Sequence, residues 1–337
     1  PDLGAPSGTV ATPEPPSPAP VVHEAAARGR HGRALTLSPR FWVATAFVII
    51  VLLIAFLGPL LYPYSAGVKV GGLYDPPSAQ HPLGTDNFGY DVLSTLMAGT
   101  GSSLGVGLIA GVIATALGVL IGVVAGYVGG WTEEALMGVT NVVISIPAII
   151  ILILLSVSMR NSSVTFLQGT GGLAIVIGIT SWPWTARAVR AQASSVATRE
   201  HIDVAKLSGA RLGGILLHDV LPYLASYVVM AFVLQVASAI LAESSLAMLG
   251  LGASGSHSLG MQLHWALAFQ AVASGAWWAF LPPTLMLTFI SFAFLLLQSS
   301  MDEVFNPRLR RGSKRAIKRA SARRAAAARR LVEEGVQ

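Results

Sequence analysis

The stretch VLSTLMAGTGSSLGVGLIAGVIATALGVLIGVVAGYVGGWT, Val92 to Thr132, contains no acidic or basic side chain. An α-helix needs about 20 predominantly apolar residues to cross a hydrocarbon core of about 30 Å. Further stretches without Asp, Glu, Lys or Arg are Phe41 to Tyr62, Ala135 to Met159, Asn161 to Ala186, Val220 to Ala242 and Ser244 to Met301. This repeated pattern predicts an all-α membrane protein.

The apolar stretches predict six transmembrane helices, near residues 41–62, 101–128, 135–158, 171–189, 223–248 and 278–301. Six spans place both termini on the same side of the membrane. The composition agrees, since 53% of the 337 residues are hydrophobic and 11% are charged, whereas soluble domains average about 25% charged residues. The chain has no cysteine, which excludes disulfides, thiolate metal sites and cysteine nucleophiles.

The basic residues predict the orientation, because cytoplasmic loops of membrane proteins accumulate Lys and Arg. With the N-terminus inside, four basic residues precede the first span, five lie from Arg187 to Arg211 and eleven lie from Arg308 onward. Only Lys69 and Arg160 fall outside. We therefore expect both termini to be cytoplasmic, although an additional pair of spans would preserve this distribution.

Composition also predicts how the chain is divided. Residues 1–34 contain seven prolines in the first twenty positions and are expected to be a disordered cytoplasmic tail. Residues 35–98 are expected to hold the first transmembrane helix and an extracytoplasmic segment, and residues 99–303 a core of five helices with a cytoplasmic loop at 187–222. Residues 304–337 form a basic cytoplasmic tail that is expected to contact anionic membrane lipids. The net charge of +6 follows the membrane topology, and no nucleic acid partner is expected.

The second predicted span has glycines at intervals of four residues. They are Gly107 and Gly111, followed by Gly118, Gly122, Gly126 and Gly130. This spacing places small residues on one face of a helix and allows another backbone to approach closely. We expect a tight helix–helix seam, within this chain or with a partner subunit.

The loop between the fourth and fifth predicted spans is the one sizeable internal cytoplasmic segment. Its residues Arg199 to Leu207 have a composition compatible with a helix, and Ser208-Gly209 supplies a stop signal. A glycine there permits a positive φ or a close approach that a side chain prevents. Leu221-Pro222 then opens the next span, where a proline in the first turn costs little. By composition alone an ordinary connecting loop is the alternative.

The residue order of this loop resembles the EAA-x3-G…LP signature of the membrane-spanning subunits of ABC importers. Asp203 stands where that family has Glu, Ala205 matches the last Ala, and Gly209 has the expected spacing. Val204 and Asp219 depart from the family pattern, in which Ala and often Ile occur. The resemblance implies a short coupling helix that lies in a groove of an ATPase subunit. The residues expected at this contact are Glu200, Asp203, Val204, Ala205, Leu207, Gly209, Ala210, Leu221 and Pro222.

Other segments resemble the dipeptide/oligopeptide/nickel permeases, and specifically the C-type partner of that heterodimer. His81 to Asp86, with Gly89 and Asp91 to Leu93, is similar to the HPLGTD-x2-GRDVLSR segment of that group. Further similar segments are Ala125 to Tyr127 with Gly129 to Trp131, Ser181 to Pro183 with Ala186-Arg187 and Val189-Arg190, Ala239 to Glu243 with Leu249 to Gly252, and Asn306 to Arg308. The chain lacks three outer arginines that the family often has, and carries Tyr90, Thr95 and Gly101 in their places.

The resemblance implies a type I ABC importer permease fold in the cytoplasmic (inner) membrane of a bacterium. It also implies partners, namely a B-type sister permease, two ATPase subunits or domains and an extracytoplasmic solute-binding protein. The chain contains no G-x4-G-K-[ST] phosphate loop. We therefore expect it to have no ATPase site, cofactor or metal of its own, and we expect ATP and Mg to be bound by the partner ATPase subunits. The expected cargo is a di- or oligopeptide, a nickel chelate or a related small solute.

Four polar residues within predicted spans are candidates for the translocation path or for helix–helix contacts: Asn141, Ser145, Gln235 and Glu243. An ionisable group within a membrane is costly and usually functional. For Glu243 we favour a structural role near the outer end of its span, with hydrogen bonds to Ser244 and Ser245.

Two other classes of protein are weighed against the permease. Gly252-Ala253-Ser254-Gly255 matches a G-x-S-G nucleophile string, as in an intramembrane serine protease, but such an enzyme needs a histidine base from another span. His257 and His264 both fall in the same predicted outer loop as the serine. An ion-coupled secondary transporter normally shows mid-membrane acids and an internal repeat, and the sequence shows neither.

Overall fold

The structure, a computed structural model, describes residues 39–305, with side chains to Met301. Its helices are α1 (Pro39–Leu52), α2 (Gly58–Leu61), α3 (Val92–Val128), α4 (Gly130–Ser145), α5 (Ala148–Arg160), α6 (Thr165–Gln168), α7 (Thr170–Ala197), α8 (Glu200–Leu207), α9 (Leu212–Gly214), α10 (Leu221–Met248), α11 (Leu259–Ala268) and α12 (Trp277–Phe305). Two π-helical segments, Leu53–Leu57 and Ile215–Val220, connect α1 with α2 and α9 with α10. The described part of the chain forms two isolated β-bridges and no β-strand, which agrees with the all-α prediction. The predicted tails, residues 1–34 and 304–337, lie outside or at the edge of the described residues.

Four helical segments of the described residues are long and apolar enough to cross a membrane, namely Pro39–Leu61, Val92–Val128, Leu212–Met248 and Trp277–Met301. The pair α4 and α5 makes a fifth when the two are counted as one span. Helix α7 does not reach this level of hydropathy, since it includes Arg187 and Arg190 together with several polar residues. The six-span topology therefore remains a prediction.

The predicted helix at 135–158 is broken. α4 ends at Ser145 and α5 begins at Ala148, with an angle of 82° between them. The break occurs at Pro147, because the ring of a proline prevents the preceding residue from continuing an α-helix. Ile146 accordingly has an extended backbone, with ψ of 127°.

Helix α3 begins earlier than residue 101, where the sequence placed it. Asp91 caps it by accepting a hydrogen bond from the Ser94 backbone N–H at 2.8 Å. The buried hydroxyls of its polar first turns find acceptors within the helix, as where Thr100 Oγ1 donates to Leu96 O, one turn back, at 2.7 Å. The predicted domain boundary at residue 98 falls inside this helix.

The glycine spacing of α3 forms a seam within the chain, as predicted. A Cβ atom on Gly111 would lie 2.7 Å from Val236 Cγ2 of α10, and one on Gly118 would lie 2.6 Å from Thr185 Cβ of α7. Gly122 has a similar position against α7. Gly130 does not belong to the seam, because α3 has already ended and a Cβ there would meet nothing within 4 Å. α3 is thus the central helix, with α7 and α10 packed against its glycine face.

The segment between α2 and α3 is attached to the N-terminus of α3 by a buried carboxylate. Asp91 Oδ2 lies 2.8 Å from His81 Nδ1 and accepts a hydrogen bond from the Tyr62 hydroxyl at 3.2 Å. Burial and the nearby Asp91 carboxylate raise the pKa of Tyr62 to about 12. The HPLGTD segment therefore folds onto the start of α3, where its conformation is fixed by the same acid that caps the helix.

Candidate coupling helix and transport sites

The predicted coupling helix is present as α8, Glu200–Leu207. It ends in a Schellman motif, in which the Ala210 N–H donates to Ala205 O at 3.2 Å and the Gly209 N–H donates to Lys206 O at 3.0 Å. Gly209 has a φ of +75°, which is one of the two reasons for a glycine that its position in the sequence allowed. A Cβ on Gly209 would meet nothing within 4 Å, so the requirement for glycine within this chain comes from backbone conformation and not from a close approach.

One face of α8 is anchored in the helix bundle. Ile202 is fully buried among apolar residues from the last turns of α3 and α7 and the first turn of α10, including Val123, Val196 and Leu224. The helix also contacts the start of α10 through stacking of His201 on Tyr223, with ring centroids 4.6 Å apart. These contacts fix the orientation of α8 relative to the transmembrane helices.

The opposite face of α8 is open. Leu207 is 88% exposed and Val204 is 62% exposed, and the Asp203 side chain is exposed beside Lys206 at 3.4 Å. Val204 and Leu207 are three positions apart and so lie side by side on the helix surface, and contiguous exposed apolar side chains can mark a contact site for a partner. The exposed face therefore combines two apolar anchors with one acidic group.

The remaining predicted contact residues lie within α8 or beyond its C-terminal end. Glu200 is exposed in its first turn, Ala205 is half-buried, and Ala210 is exposed beyond its end. Leu221 and Pro222 are the first two residues of α10, and the π-helical segment Ile215–Val220 leads directly into them. The proline lies at N1 or N2 of α10, as predicted from its position.

Two of the four polar span residues, Gln235 and Asn141, link other helices to α7. Gln235 Nε2 on α10 donates to Ser181 O at 2.9 Å and to Thr185 Oγ1 at 2.6 Å. Asn141 Oδ1 on α4 accepts from Arg187 Nη2 at 2.5 Å, whereas Ser145 Oγ donates only within its own helix, to Asn141 O. All of these contacts join protein groups to one another.

A second polar contact reinforces the one between α4 and α7. Glu133 at the start of α4 forms an ion pair with Arg190, one turn beyond Arg187 on α7. Neither partner could be predicted from the sequence, because a pair separated by more than fifty residues has no local signal. Helix α4 is thus attached to the helix that leads directly to α8.

Glu243 is buried, with only 1% of its surface exposed. Its Oε2 accepts from Ser103 Oγ of α3 at 2.9 Å and from Ser244 Oγ at 3.3 Å. The predicted bond to Ser245 is wrong, because that hydroxyl donates to Leu241 O one turn back. The Ser103 oxygen in turn accepts from the Leu259 N–H at the start of α11. Glu243 therefore links α10 to α3 and, through Ser103, to the start of α11.

Replacing Glu243 by leucine is expected to destabilise the folded chain. Leucine leaves the buried Ser103 and Ser244 hydroxyls without this acceptor, and each unsatisfied buried group costs about 1–3 kcal/mol. Glu243→Gln is the control, because its amide oxygen still accepts a hydrogen bond. Thermal unfolding in detergent, followed by circular dichroism, should show a larger loss of Tm for leucine than for glutamine, and equal losses would contradict this role.

A cavity of about 470 Å³ lies between the α3 N-terminus, the end of α5, and the segment from Gly250 to α11. It is called the outer cavity after the extracytoplasmic side on which the predicted topology places it. Its lining includes Tyr90 and Thr95, two of the three positions at which the sequence departs from the resembling family. Gly101, the third, packs beside the Ala55 backbone instead. Burial raises the pKa of Asp86 in the cavity wall, while its backbone hydrogen bonds and His257 oppose that rise.

The G-x-S-G string does not form a nucleophile–base pair. The Ser254 N–H donates to Gln168 O at 2.9 Å, while His264 Nδ1 lies 3.0 Å from Met248 O and His257 packs against Tyr90. Among the described residues, no group of three or more His, Cys, Asp or Glu side chains could hold a metal ion. The geometry gives no support to the protease alternative.

Residues 118–311 match the family described as binding-protein-dependent transport system inner membrane component. The chain is 32% identical over 274 residues to the dipeptide transport system permease protein DppC of Bacillus subtilis (strain 168), covering 80% of this chain and 82% of that protein. It is 30% identical over 282 residues to the oligopeptide transport system permease protein OppC of Mycobacterium tuberculosis (strain ATCC 25618 / H37Rv), covering 82% and 94%.

A chain of the MetNI methionine ABC transporter, in an inward-facing conformation, has a TM-score of 0.46 at 19% identity and covers 61% of this chain and 96% of its own length. The family match includes the last part of α3 from Gly118 onward, the broken pair, α8 and the buried Glu243. The chain therefore belongs to the family of inner membrane components of binding-protein-dependent transport systems.

Proposed function

We propose that this chain is the membrane-spanning permease subunit of an ATP-driven ABC importer that moves di- or oligopeptides into a bacterial cell. The observation that carries the proposal is α8, a capped helix with one face buried in the bundle and an open apolar face formed by Val204 and Leu207. The peptide cargo is supported by the functions of the named relatives, DppC and OppC.

The proposed assembly contains a B-type sister permease, two ATPase subunits or domains and an extracytoplasmic solute-binding protein. ATP and Mg are bound by the ATPase subunits. The proposed topology has six spans, with α7 among them and both termini in the cytoplasm. On this topology α8 lies on the cytoplasmic side, where the ATPases are.

In the proposed mechanism α8 transmits a rigid-body motion. When the ATPases close on ATP, the open face of α8 moves with the groove that holds it. The buried Ile202 and the stacked Tyr223 pass this motion to the ends of α3, α7 and α10. Through Arg187 and Arg190, α7 also moves α4, so that the broken pair changes its position with the bundle.

The proposal is tested by reconstituting the chain with its sister permease, ATPases and binding protein in liposomes. We expect ATP-dependent uptake of the labelled dipeptide Ala-Phe or of a labelled tripeptide. The purified chain alone is expected to hydrolyse no ATP. ATP hydrolysis by the isolated chain, or a complete assembly that imports neither peptide, would contradict the proposal.

Gly209→Val is expected to uncouple ATP hydrolysis from uptake while the protein remains inserted. A left-handed conformation costs a non-glycine residue about 1–2 kcal/mol, and a β-branched residue tolerates it least. The C-terminal turn of α8 should therefore unwind and reposition Leu207. The ratio of peptide uptake to ATP hydrolysis measures the effect.

Gly213→Val is the matched control. Gly213 is also exposed, a Cβ there meets nothing within 4 Å, and its φ is not positive. Coupling should be close to the wild-type value in that variant. Normal uptake by the Gly209→Val variant would contradict the expectation that coupling requires the Schellman motif.

A further inference from the structure

The outer cavity contains groups of opposite charge and an aromatic wall. Asp86 and Arg160 both line it, together with Asn87, Phe88, His257 and Trp265. Ligand pockets in proteins typically have volumes of about 300–1,000 Å³ with a few convergent polar groups. A cavity of about 470 Å³ is therefore large enough for a small organic ligand.

The cationic side of the cavity retains unused donors. Arg160 is exposed and donates through Nη1 to Gly250 O, which leaves the other N–H groups of its guanidinium available, since arginine has five. A carboxylate is the ligand group that this fork binds best, because two parallel N–H···O bonds can form.

The acidic side of the cavity favours a cationic ligand group. Asp86 Oδ1 accepts from the backbone N–H groups of Phe88 at 2.8 Å and Tyr90 at 2.9 Å. A carboxylate has about four acceptor positions, so the group retains capacity for a ligand cation. Because Asp86 is partly buried, a nearby ammonium group would stabilise its charged form.

A buried amide in the wall adds an independent observation. Asn87 is 9% exposed, and its Nδ2 has no hydrogen-bond partner among the described residues. An unsatisfied buried donor is costly, and a polar ligand in the adjacent cavity supplies the missing acceptor. This feature distinguishes the cavity from a gap lined only by satisfied groups.

We propose that the outer cavity is a binding site for a short peptide with free termini. The carboxylate terminus pairs with Arg160, the ammonium terminus pairs with Asp86, and an apolar side chain packs against Phe88 and Trp265. An acidic side chain from a docked protein would pair with Arg160 but be repelled by Asp86, whereas a zwitterion satisfies both. The proposal deepens the proposed function and rests on it, since it gives the permease its own peptide site on the predicted extracytoplasmic side.

The test is equilibrium binding of labelled Ala-Phe to the assembled permease–ATPase complex in nanodiscs, without the binding protein. We expect saturable binding that Arg160→Gln weakens about tenfold or more. Lys69→Gln is the matched control, because Lys69 is an exposed cation of the same outer region that does not line the cavity. Trp265→Leu, as a second variant, should also weaken binding. Retained ATP hydrolysis by each complex verifies that it is folded.

Two modified dipeptides test directly whether binding requires both charged termini. N-acetyl-Ala-Phe lacks the ammonium group and Ala-Phe amide lacks the carboxylate, and each is expected to bind at least tenfold more weakly than Ala-Phe. Undetectable binding of Ala-Phe, or equal binding by the wild type and Arg160→Gln, overturns the proposal. Equally tight binding of the N-acetyl peptide also overturns it and identifies the cavity as a carboxylate site for a docked protein.

The same complexes separate this proposal from the proposed function. Peptide uptake by the wild-type assembly with its binding protein, together with no Ala-Phe binding to the cavity, rejects the cavity site alone. Absence of peptide uptake by the complete assembly rejects the proposed function, and with it a peptide site that serves import.

Discussion

Gly122→Leu is expected to prevent the chain from folding. In the structure a Cβ at this position would lie 2.6 Å from Ala186 O and 3.0 Å from the Arg190 N atom. Both are backbone atoms of α7, so neither can move away as the end of a side chain could. Overpacking a tight interface typically costs about 1–3 kcal/mol, and a leucine that separates two long helices should exceed this range. The yield of monodisperse protein in mild detergent should fall at least tenfold.

The matched control for this substitution is Gly105→Leu. Gly105 lies on the same helix, and a Cβ there meets nothing within 4 Å. The two variants add the same side chain to α3, so a difference between them measures the seam and not the helix propensity of glycine. Equal yields of folded protein would contradict the packing of α3 on α7.

Leu207→Ala is expected to reduce ATP-driven peptide uptake more than tenfold. Leu207 is almost fully exposed on the open face of α8, and a central apolar anchor of an interface contributes about 2 kcal/mol or more. Truncation should weaken the ATPase contact without affecting the bundle, because the side chain packs on nothing within it. Uptake in liposomes and the affinity of the permease pair for the ATPases are the two measurements.

Leu212→Ala provides the comparison for this truncation. Leu212 is 52% exposed and belongs to the same loop but lies beyond the Schellman motif. Uptake by this variant should remain within about twofold of the wild type. If the two truncations reduce uptake equally, α8 is not the specific point of contact.

The seam and the coupling helix could be predicted because each has a local signal. The four-residue spacing from Gly107 to Gly126 selects one face of a helix, whatever packs against it. At Gly209 the stop signal after a short amphipathic segment predicts a helix end with a positive φ or a close approach, and the structure has the positive φ, +75°. Both predictions depend only on neighbours within a few turns of the chain.

Three features could not be read from apolar stretch length, and only the last of them depends on a tertiary contact. The predicted start of α3, near residue 101, is later than the observed start at Val92. The first turns of α3 are rich in hydroxyl residues, and in the sequence alone they resemble a loop. The break at Pro147 was missed because an uncharged stretch of sufficient length resembles one straight span. The acceptor role of Glu243 toward Ser103 joins residues 140 positions apart, which no local pattern encodes.

The central claim is that α8 is the point at which a separate ATPase contacts this chain, and cross-linking tests it most directly. Because the chain has no cysteine, Ser208→Cys introduces a single thiol at the exposed end of α8. Ser65→Cys introduces a matched thiol in the exposed segment between α2 and α3. In the transporting complex we predict that a short bifunctional reagent links Ser208→Cys, but not Ser65→Cys, to an ATPase subunit. Labelling of the Ser208→Cys thiol by an impermeant reagent from outside the cell, or no cross-link in a complex that transports peptide, would contradict the account.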